Sequence, residues 1–313
     1  MIQNISRYVM PEEKEEDVEK MIRRVGLDGI ERMVYSGEPS VNPFKRLATG
    51  VHLRFWPTWM DFYLGNEKRY RKQFPDRESL TAYYGAPDPD GWTEEIRRNL
   101  RAALAENPSY LVWHVADCLV EETWTWEFHY SSMDVLRETA RLYQAVADEV
   151  PSHVQVLFEN VFWPGLRFLL PEEIDYFFSL LPGRNVGLML DTGHFMNTDP
   201  SLETEADGAR YICNMIKNMG SMKSLIQGMH LSCSLSGAYR RSLKKEAPEG
   251  MDIAALLKHI SSIDQHRPFR TEAARQIVEA VEPRFLTHEL FSADGGLPEE
   301  KIRLQLKAMG KQV

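Results

Sequence analysis

The stretch "LMLDTGHFMN" (residues 188–197) changes within one short segment from an apolar run to a polar turn. The apolar residues suit a buried strand, but Asp191 and His194 follow at once, where a polar group is costly to bury without a partner. Gly193 lies between them and lets the chain turn sharply as the strand ends. The stretch therefore predicts a buried strand whose carboxyl end presents polar side chains to a site.

On both sides of this stretch, short apolar runs alternate with amphipathic runs of helical period, a pattern that predicts a parallel sheet with crossover helices. Eight apolar runs fit strands, at residues 2–6, 29–35, 50–57, 110–116, 154–160, 186–191, 226–232 and 284–290. Eight segments of helical period accompany them. The count favours an α/β fold of the (β/α)8 TIM barrel type. The alternative, an open doubly wound sheet, lacks its GxGxxG and GxxxxGK[ST] fingerprints here.

Two long segments interrupt the alternation. Residues 58–91 are rich in aromatic residues, charges, proline and glycine, and are too long for an ordinary loop. Another long segment follows the seventh predicted strand. We therefore predict insertions after strands 3 and 7, within a single domain that spans residues 1–313. The aromatic residues of the first insertion could cover a site or anchor a subunit interface; these are Trp56, Trp59, Phe62 and Tyr63.

Composition excludes several classes of partner. With Lys+Arg 37 against Asp+Glu 46, the formal net charge is −9, whereas proteins that follow a phosphate backbone usually carry a basic excess, so no nucleic-acid partner is expected. No apolar window approaches the roughly 18 to 20 residues that span a bilayer, and no basic region precedes an apolar core at the start, so no membrane partner is expected. The 3 cysteines are far apart and fit a reducing compartment. We expect a cytoplasmic protein.

Polar side chains recur where the predicted strands end, and in a TIM barrel the chemistry gathers at the C-terminal ends of the strands. These side chains belong to His52, His114, Glu159, Asp191, His194, His230 and Glu289. A divalent cation is the usual means of keeping carboxylates and imidazoles together in a partly dry site. The sequence therefore predicts at least one divalent metal ion, with Mn²⁺, Zn²⁺, Mg²⁺ and Co²⁺ all compatible with the mixed donor set.

Each of these residues also has a purely structural interpretation. A lone histidine at a strand end, such as His52 or His114, is more often satisfied by hydrogen bonds than by a metal. A lone buried carboxylate such as Glu289 is usually paired with a cationic side chain, but the nearby strand sequences offer none to it or to Glu159. The other histidines are expected on the surface or in packing; they are His129, His153, His259, His266 and, facing away from Glu289, His288.

Four segments carry a resemblance to a known superfamily. The quoted stretch, together with "LFENVFWPG" (157–165), "GMHLSCS" (228–234) and "FLTHELF" (285–291), resembles the signatures of strands five to eight in the xylose isomerase-like TIM barrels. That superfamily includes relatives of tagatose 3-epimerase and hydroxypyruvate isomerase as well as endonuclease IV. The resemblance covers nearly the whole chain in order and spacing, and its most specific element is DTGH after an apolar strand.

The epimerase-like members imply a function and a set of roles. By this resemblance, Glu159, Asp191, His230 and Glu289 would bind one divalent metal ion, and His194 would bind the substrate beside it. Glu159 and Glu289 would exchange the proton of an enediolate intermediate. The implied function is a metal-dependent isomerase or epimerase that acts on a small sugar or a related hydroxy-carbonyl compound.

Endonuclease IV implies an alternative with more metal ions. Its pattern matches all seven strand-end residues, which leaves room for a second metal at His52, His114 and His194. It also places an Asp-x-His pair for a third zinc after strand seven, where this chain reads "SLSGAYRRSLKKEAPEG" (234–250), with neither residue. A third zinc is therefore not expected. A metal-dependent hydrolase or lyase on this scaffold stays open as an alternative, as does a non-catalytic sugar-binding protein.

Further substrate contacts are expected around the barrel mouth. His52 and His114 are candidate substrate-binding residues if they hold no metal. Arg240 belongs to a basic cluster after strand seven that could meet an anionic group of the substrate, although such a cluster is often simply solvated. Trp163 could form an aromatic wall for a sugar ring, or could pack in the core. Neither the substrate nor the oligomeric state can be read from the sequence, and a homo-oligomer remains compatible with it.

Overall fold

The computed structural model describes residues 1–183, 185–292 and 296–312 of the chain. Eight parallel strands close into a barrel in which each strand pairs with its neighbours in chain order. They are β1 (Ile2–Arg7), β2 (Gly29–Val34), β3 (Ala48–Leu53), β4 (Tyr110–His114), β5 (Gln155–Glu159), β6 (Val186–Asp191), β7 (Ile226–Leu231) and β8 (Phe285–His288). The predicted (β/α)8 barrel is confirmed.

Helices surround the barrel. Within the described ranges they are α1 (Glu15–Arg24), α2 (Met60–Tyr63), α3 (Glu67–Gln73), α4 (Arg77–Tyr84), α5 (Pro89–Leu104), α6 (Val120–Thr125), α7 (Ser132–Val146), α8 (Pro171–Leu180), α9 (Thr192–Met196), α10 (Glu205–Met219), α11 (Gly237–Arg241), α12 (Ile253–Ile263), α13 (Ala273–Val281) and α14 (Glu299–Ala308). Two short 3₁₀ helices cover Ala147–Glu149 and Gly220–Leu225. None of these helices is long and apolar enough to cross a membrane.

The alternation of side chains along the strands positions the site. Inside the barrel, an apolar layer is formed by Tyr110, Val112, Leu157, Met189 and Phe285, all buried. Side chains two residues apart on a strand share a face. Glu159 therefore projects to the same interior as Leu157, and Asp191 to the same interior as Met189. The strand-end carboxylates consequently share the barrel interior with this apolar layer and lie closer to the C-terminal ends of the strands.

The third strand ends earlier than the sequence suggests. We expected it to continue to Pro57, but pairing with β4 stops at His52, opposite Val112. The backbone N–H of Arg54 instead donates to Asn99 Oδ1 on α5, at 3.0 Å. The chain leaves the sheet here because a helix side chain, and not a neighbouring strand, satisfies its backbone.

The connection between β2 and β3 differs from the others because residues 35–47 contain no helix. A buried ion pair anchors it instead, with Arg32 Nη1 2.8 Å from Glu106 Oε2. The same carboxylate oxygen accepts the backbone N–H of Phe44 at 2.6 Å. Glu106 Oε2 thus accepts from both Arg32 and Phe44, and hydrogen bonds of this kind help to keep an ion pair in a buried interior.

The segment after β3 carries the three short helices α2, α3 and α4, and the four aromatic residues singled out in the sequence are packed within the chain. Trp56, Trp59 and Phe62 are buried, at 7%, 5% and 2% exposure. Together with Tyr63, they pack around Trp92 of α5 at ring-centroid distances of 5.8 to 6.2 Å. The expectation that these aromatics cover the site or anchor an interface is therefore wrong, since their surface is used within the chain. That the two long segments are insertions, and that the chain is one domain, stay predictions.

A tight crossing after β5 depends on one glycine. Residues 160–165 fold back towards β4, so that Gly165 forms an antiparallel bridge with Ala116 and Leu166 N–H donates to Val115 O at 2.9 Å. Gly165 has φ +134°, and a Cβ there would lie 2.2 Å from Val115 O. This crossing holds Trp163 beside the barrel mouth, so its geometry matters for the site.

We expect Gly165→Ala to lower the free energy of unfolding by about 3 kcal/mol, since a strained φ and a backbone collision each cost about 1 to 3 kcal/mol. Gly26→Ala is the matched control, because Gly26 also has a positive φ, +79°, but a Cβ there meets nothing within 4 Å. It should cost only about 1 kcal/mol. Urea denaturation measures both values. Equal losses in the two variants would contradict the crossing described here.

Candidate metal centre

The first ligand group lies at the C-terminal ends of four neighbouring strands. Its members are Glu159, Asp191, His230 and Glu289, and one ligand atom from each lies within 4.8 Å of all the others. None is more than 4% exposed. Glu159 and Asp191 are the last residues of β5 and β6, His230 lies one residue before the end of β7, and Glu289 directly follows β8. The structure thus brings together the four residues that the resemblance implies as metal ligands.

A second ligand group shares Glu159 with the first. It consists of His52, His114 and Glu159, again with ligand atoms within 4.8 Å of one another. Glu159 Oε2 lies 3.4 Å from Nε2 of both His52 and His114. The other oxygen, Oε1, lies 3.2 Å from Nδ1 of His230. The two oxygens of a single carboxylate therefore face two different groups of imidazoles.

A third group contains two residues that the sequence interpretation did not place at the site. Asp264 Oδ2 lies 3.2 Å from His194 Nε2 and 2.8 Å from His266 Nε2. The segment 234–250 has no Asp-x-His pair, but Asp264-Gln265-His266 provides one further along the chain, directly after α12. The expectation that His266 is a surface or packing residue is wrong. The separation of two residues between an acidic residue and a histidine was the available signal.

Hydrogen bonds to the outer nitrogens orient three of the imidazoles. Nδ1 of His52 lies 2.9 Å from Leu53 O, and Nδ1 of His194 lies 2.9 Å from Asn160 O. Nε2 of His230 lies 2.9 Å from Glu31 Oε1. We assign these nitrogens as donors, because backbone carbonyls can only accept and a carboxylate favours a donor. In the neutral form, the other nitrogen of each ring then directs its lone pair towards a carboxylate: Nε2 of His52 and Nδ1 of His230 face Glu159, and Nε2 of His194 faces Asp264. Metal-binding histidines are oriented in the same way.

Glu31 was missed by the sequence interpretation although it is wholly buried on β2. Besides His230, it accepts from the hydroxyl groups of Tyr110, at 2.8 Å, and Thr287, at 3.1 Å. Its side chain therefore lies under the first ligand group and not in it. A carboxylate inside the predicted strand "GIERMVY" was the signal that could have identified it.

Several polar atoms at the centre have no hydrogen-bond partner in the described part of the chain. They are His52 Nε2, Glu159 Oε2, Asp191 Oδ2, Glu289 Oε2, Asp264 Oδ1 and the Nδ1 atoms of His114 and His266. Buried polar atoms are nearly always paired, so a cluster of unpaired ones requires an explanation. Carboxylate oxygens and imidazole nitrogens together are the donor set of a divalent transition metal, so these residues fit the expected cofactor.

The electrostatics of the centre also favour a cation. Burial raises the pKa of Asp191 well above its usual range, and the neighbouring charges of Glu289 and Glu159 raise it further. A divalent cation would remove this repulsion. Burial lowers the pKa of His114 to about 3, so its imidazole is neutral and has a lone pair available for a metal at ordinary pH.

A cavity of about 530 Å³ opens above the ligand groups. Its floor is formed by His52, His114, His194, Asp264, His266 and Glu289. Glu159, Asp191 and His230 are not among the described residues that line it, so they lie beneath this floor. The second and third groups therefore face the cavity, while the first is reached mainly through Glu289.

The remaining predicted substrate residues divide into one that lines the cavity and one that does not. Trp163 lines it and is 5% exposed. Arg240 does not: its Nη1 donates to Asn197 O at 2.6 Å, and its guanidinium stacks 3.4 Å above the ring of Trp126. Burial lowers the pKa of Arg240 to about 10. The structure thus gives no geometric support for a contact between Arg240 and the substrate.

Two of the other histidines behave as expected. His259 is buried and stacks on Trp124 at 3.6 Å between ring centroids, so it is a packing residue. His288 Nδ1 lies 2.8 Å from Gln305 Nε2 on α14, which places its ring on the outer side of the barrel, away from Glu289.

We compared the chain with known proteins by sequence and by structure. By sequence, no family model and no curated protein matches the chain. By structure, it is similar to D-allulose 3-epimerase from Methylomonas sp., at 12% identity and a TM-score of 0.52, over 99% of this chain and 97% of that one. It is also similar to endonuclease IV from Thermus thermophilus, at 12% identity and a TM-score of 0.51, over 99% and 98%. The chain therefore shares its barrel fold with both proteins, and at these identities the likeness extends to the fold alone.

We expect more than one divalent cation per chain when protein stripped with a chelator is titrated with Zn²⁺ or Mn²⁺. Binding at a hundred times Kd contributes about 2.7 kcal/mol, so the melting temperature should rise by about 5 °C. Elemental analysis and circular dichroism measure the two effects. Glu159→Gln should lose more than one equivalent of metal because this residue belongs to two groups, whereas His153→Gln, at an exposed position, should lose none. A full metal content in the Glu159 variant would contradict the shared carboxylate.

Proposed function

We propose that this chain is a divalent-metal-dependent hydrolase whose two ligand groups, which share Glu159, would hold at least two cations, and that it cleaves an ester or phosphoester bond of a small molecule. The observation that carries the proposal is the position of Glu159. Each of its two oxygens faces a different pair of imidazoles, at 3.2 to 3.4 Å. A carboxylate placed in this way suits a bridge between two metal ions.

The same position counts against Glu159 as a base at carbon. A general base must come within hydrogen-bond distance of the proton that it removes. Glu159 is wholly buried and lies beneath the cavity floor, with His52 and His114 above it. The proton exchange between two carboxylates that the resemblance implies therefore fits this geometry less well than hydrolysis does.

The roles of the residues follow from which of them border the cavity. Divalent cations bound by the ligand groups would lower the pKa of a water molecule and polarise the oxygens of the substrate. In the second group, His52 and His114 would hold a cation next to the cavity. In the third group, His194, Asp264 and His266 would do the same. Glu289 lines the cavity and its Oε2 has no hydrogen-bond partner in the described ranges, so this carboxylate is the one placed to accept a proton from the attacking water.

An isomerase or epimerase that acts on a sugar-like substrate is the second candidate. It is favoured by the completeness of the first ligand group, which could hold a single metal without His52 or His114. The similar fold of D-allulose 3-epimerase also supports it by analogy. Here Glu289 would exchange a proton with the substrate from the cavity floor, and Glu159 would have to reach it from below. A nucleic-acid substrate is not proposed, in view of the net charge of −9.

Metal-loaded protein should hydrolyse p-nitrophenyl esters or bis(p-nitrophenyl) phosphate, measured by release of p-nitrophenolate. His52→Ala and His114→Ala should each lower kcat/KM by about a hundredfold or more, because loss of a cation removes several kcal/mol of transition-state stabilisation. The exposed His153→Ala variant is the control and should keep full activity.

The two candidates are separated by incubating the protein with a panel of ketoses and aldoses in D₂O. Hydrolysis predicts no deuterium at any substrate carbon, as measured by mass spectrometry and NMR. Incorporation of deuterium that survives His52→Ala, together with one cation per chain, would replace the hydrolase proposal by the isomerase.

A further inference from the structure

The walls of the cavity differ in chemistry from its floor. Above the ligand groups, the lining is dominated by apolar and aromatic side chains, among them Phe55, Val161, Phe162, Trp163, Leu256 and Ile260. No lysine or arginine occurs among the described residues that line it. The floor thus carries the charged and metal-binding groups, and the walls carry almost none.

Three polar side chains in the walls are already engaged with the protein, whereas Nε1 of Trp163 has no hydrogen-bond partner in the described ranges. Thr58 Oγ1 donates to Cys118 O at 2.6 Å, and Thr123 Oγ1 donates to Val120 O at 2.7 Å. Gln73 Oε1 accepts the backbone N–H of Val120 at 3.2 Å. These groups therefore offer little hydrogen bonding to a ligand that carries many hydroxyl groups.

Apolar side chains at the rim are left open to solvent. Leu257 of α12 lines the cavity yet is 63% exposed, and Tyr8, which also lines it, is 49% exposed. Large apolar side chains gathered at the mouth of a cavity usually mark a ligand-binding surface. A ligand that extends from the floor to the rim would cover both side chains.

We propose that the substrate has a metal-binding head and an apolar alkyl or aryl tail that fills the upper cavity against Phe162, Leu256 and Leu257. The cavity volume, about 530 Å³, lies in the usual range for drug-sized ligands. A polyhydroxylated sugar would leave hydroxyl groups unpaired against these walls, and a polyphosphate would find no arginine or lysine there. The metal-binding head of this substrate rests on the proposed function. The apolar tail is inferred independently, from the side chains that line the cavity walls.

The test uses hydroxamic acids, which bind divalent metals through one shared head group, titrated calorimetrically into metal-loaded protein. The series is acetohydroxamate, butanohydroxamate, hexanohydroxamate and octanohydroxamate, with phenylacetohydroxamate as the aryl tail and gluconohydroxamate as the polyhydroxylated one. Affinity should rise about fourfold for each buried methylene group. Gluconohydroxamate should bind no more tightly than acetohydroxamate.

Two variants on one helix test the location of the tail. Leu257→Ser should raise the Kd of octanohydroxamate about threefold or more, because it removes apolar surface that only the tail reaches. The Kd of acetohydroxamate should stay unchanged. Ile253→Ser is the matched control: Ile253 lies one turn earlier, is 77% exposed and is not among the cavity-lining residues, so it should have no effect on either ligand.

The outcomes distinguish the tail from the reaction. A flat series, tighter binding of gluconohydroxamate, or no binding of any hydroxamate would overturn the apolar tail, even if p-nitrophenyl substrates are hydrolysed. A rising series without hydrolysis would leave the tail intact and refute the hydrolase proposal. Equal effects of Leu257→Ser and Ile253→Ser would also overturn the placement of the tail.

Discussion

The wholly buried carboxylate of Glu159 is the constraint on which the rest of the centre depends. A charge removed from water is stable only when other charges or hydrogen bonds replace its hydration. Here the imidazoles of His52, His114, His194 and His230 approach it within 3.4 Å. These rings come from β3, β4, β7 and the helix α9 that follows β6, so one carboxylate contacts side chains from four parts of the barrel.

Hydrogen-bond acceptors on the outer side of three imidazole rings fix the orientation of those rings. Glu31 and the carbonyl oxygens of Leu53 and Asn160 take the outer N–H groups of three rings. They determine which nitrogen of each ring faces inwards, and they do so from rigid strands or from residues that directly follow them. The inner donors are thereby preorganised for a cation, and their mutual repulsion is the reason that a cation would stabilise the fold.

The metal centre has a closed side and an open side, and this difference determines how a substrate could approach it. Below, the barrel interior is filled by Glu31 and by the buried apolar layer that includes Met189 and Phe285. Above, the cavity opens past Phe162 and α12. A substrate can therefore approach from one side only, and it meets imidazoles and Glu289 before it could reach Glu159. This order of approach is why a bridging role for Glu159 fits the geometry better than a role as a base at carbon.

The local sequence was sufficient for the barrel and for most of the centre, because both depend on short-range patterns. Alternating apolar runs predicted all eight strands, and the polar residue at the end of each run identified Glu159, Asp191, His230 and Glu289. Parallel strands in a closed barrel bring their carboxyl ends to one face. The position along a strand was therefore enough to predict proximity.

Tertiary structure alone decided the contributions that depend on contacts between distant segments. Asp264 and His266 lie beside His194 because α12 folds across the barrel mouth. Asp264 and His194 are 70 residues apart in the sequence, so no local pattern indicates their contact. Arg240 contacts Trp126 and Asn197 and does not line the cavity. Trp56 and Trp59 are buried and pack around Trp92. Their destinations depend on which partners the folded chain presents, and no local pattern of apolar and polar residues contains that information.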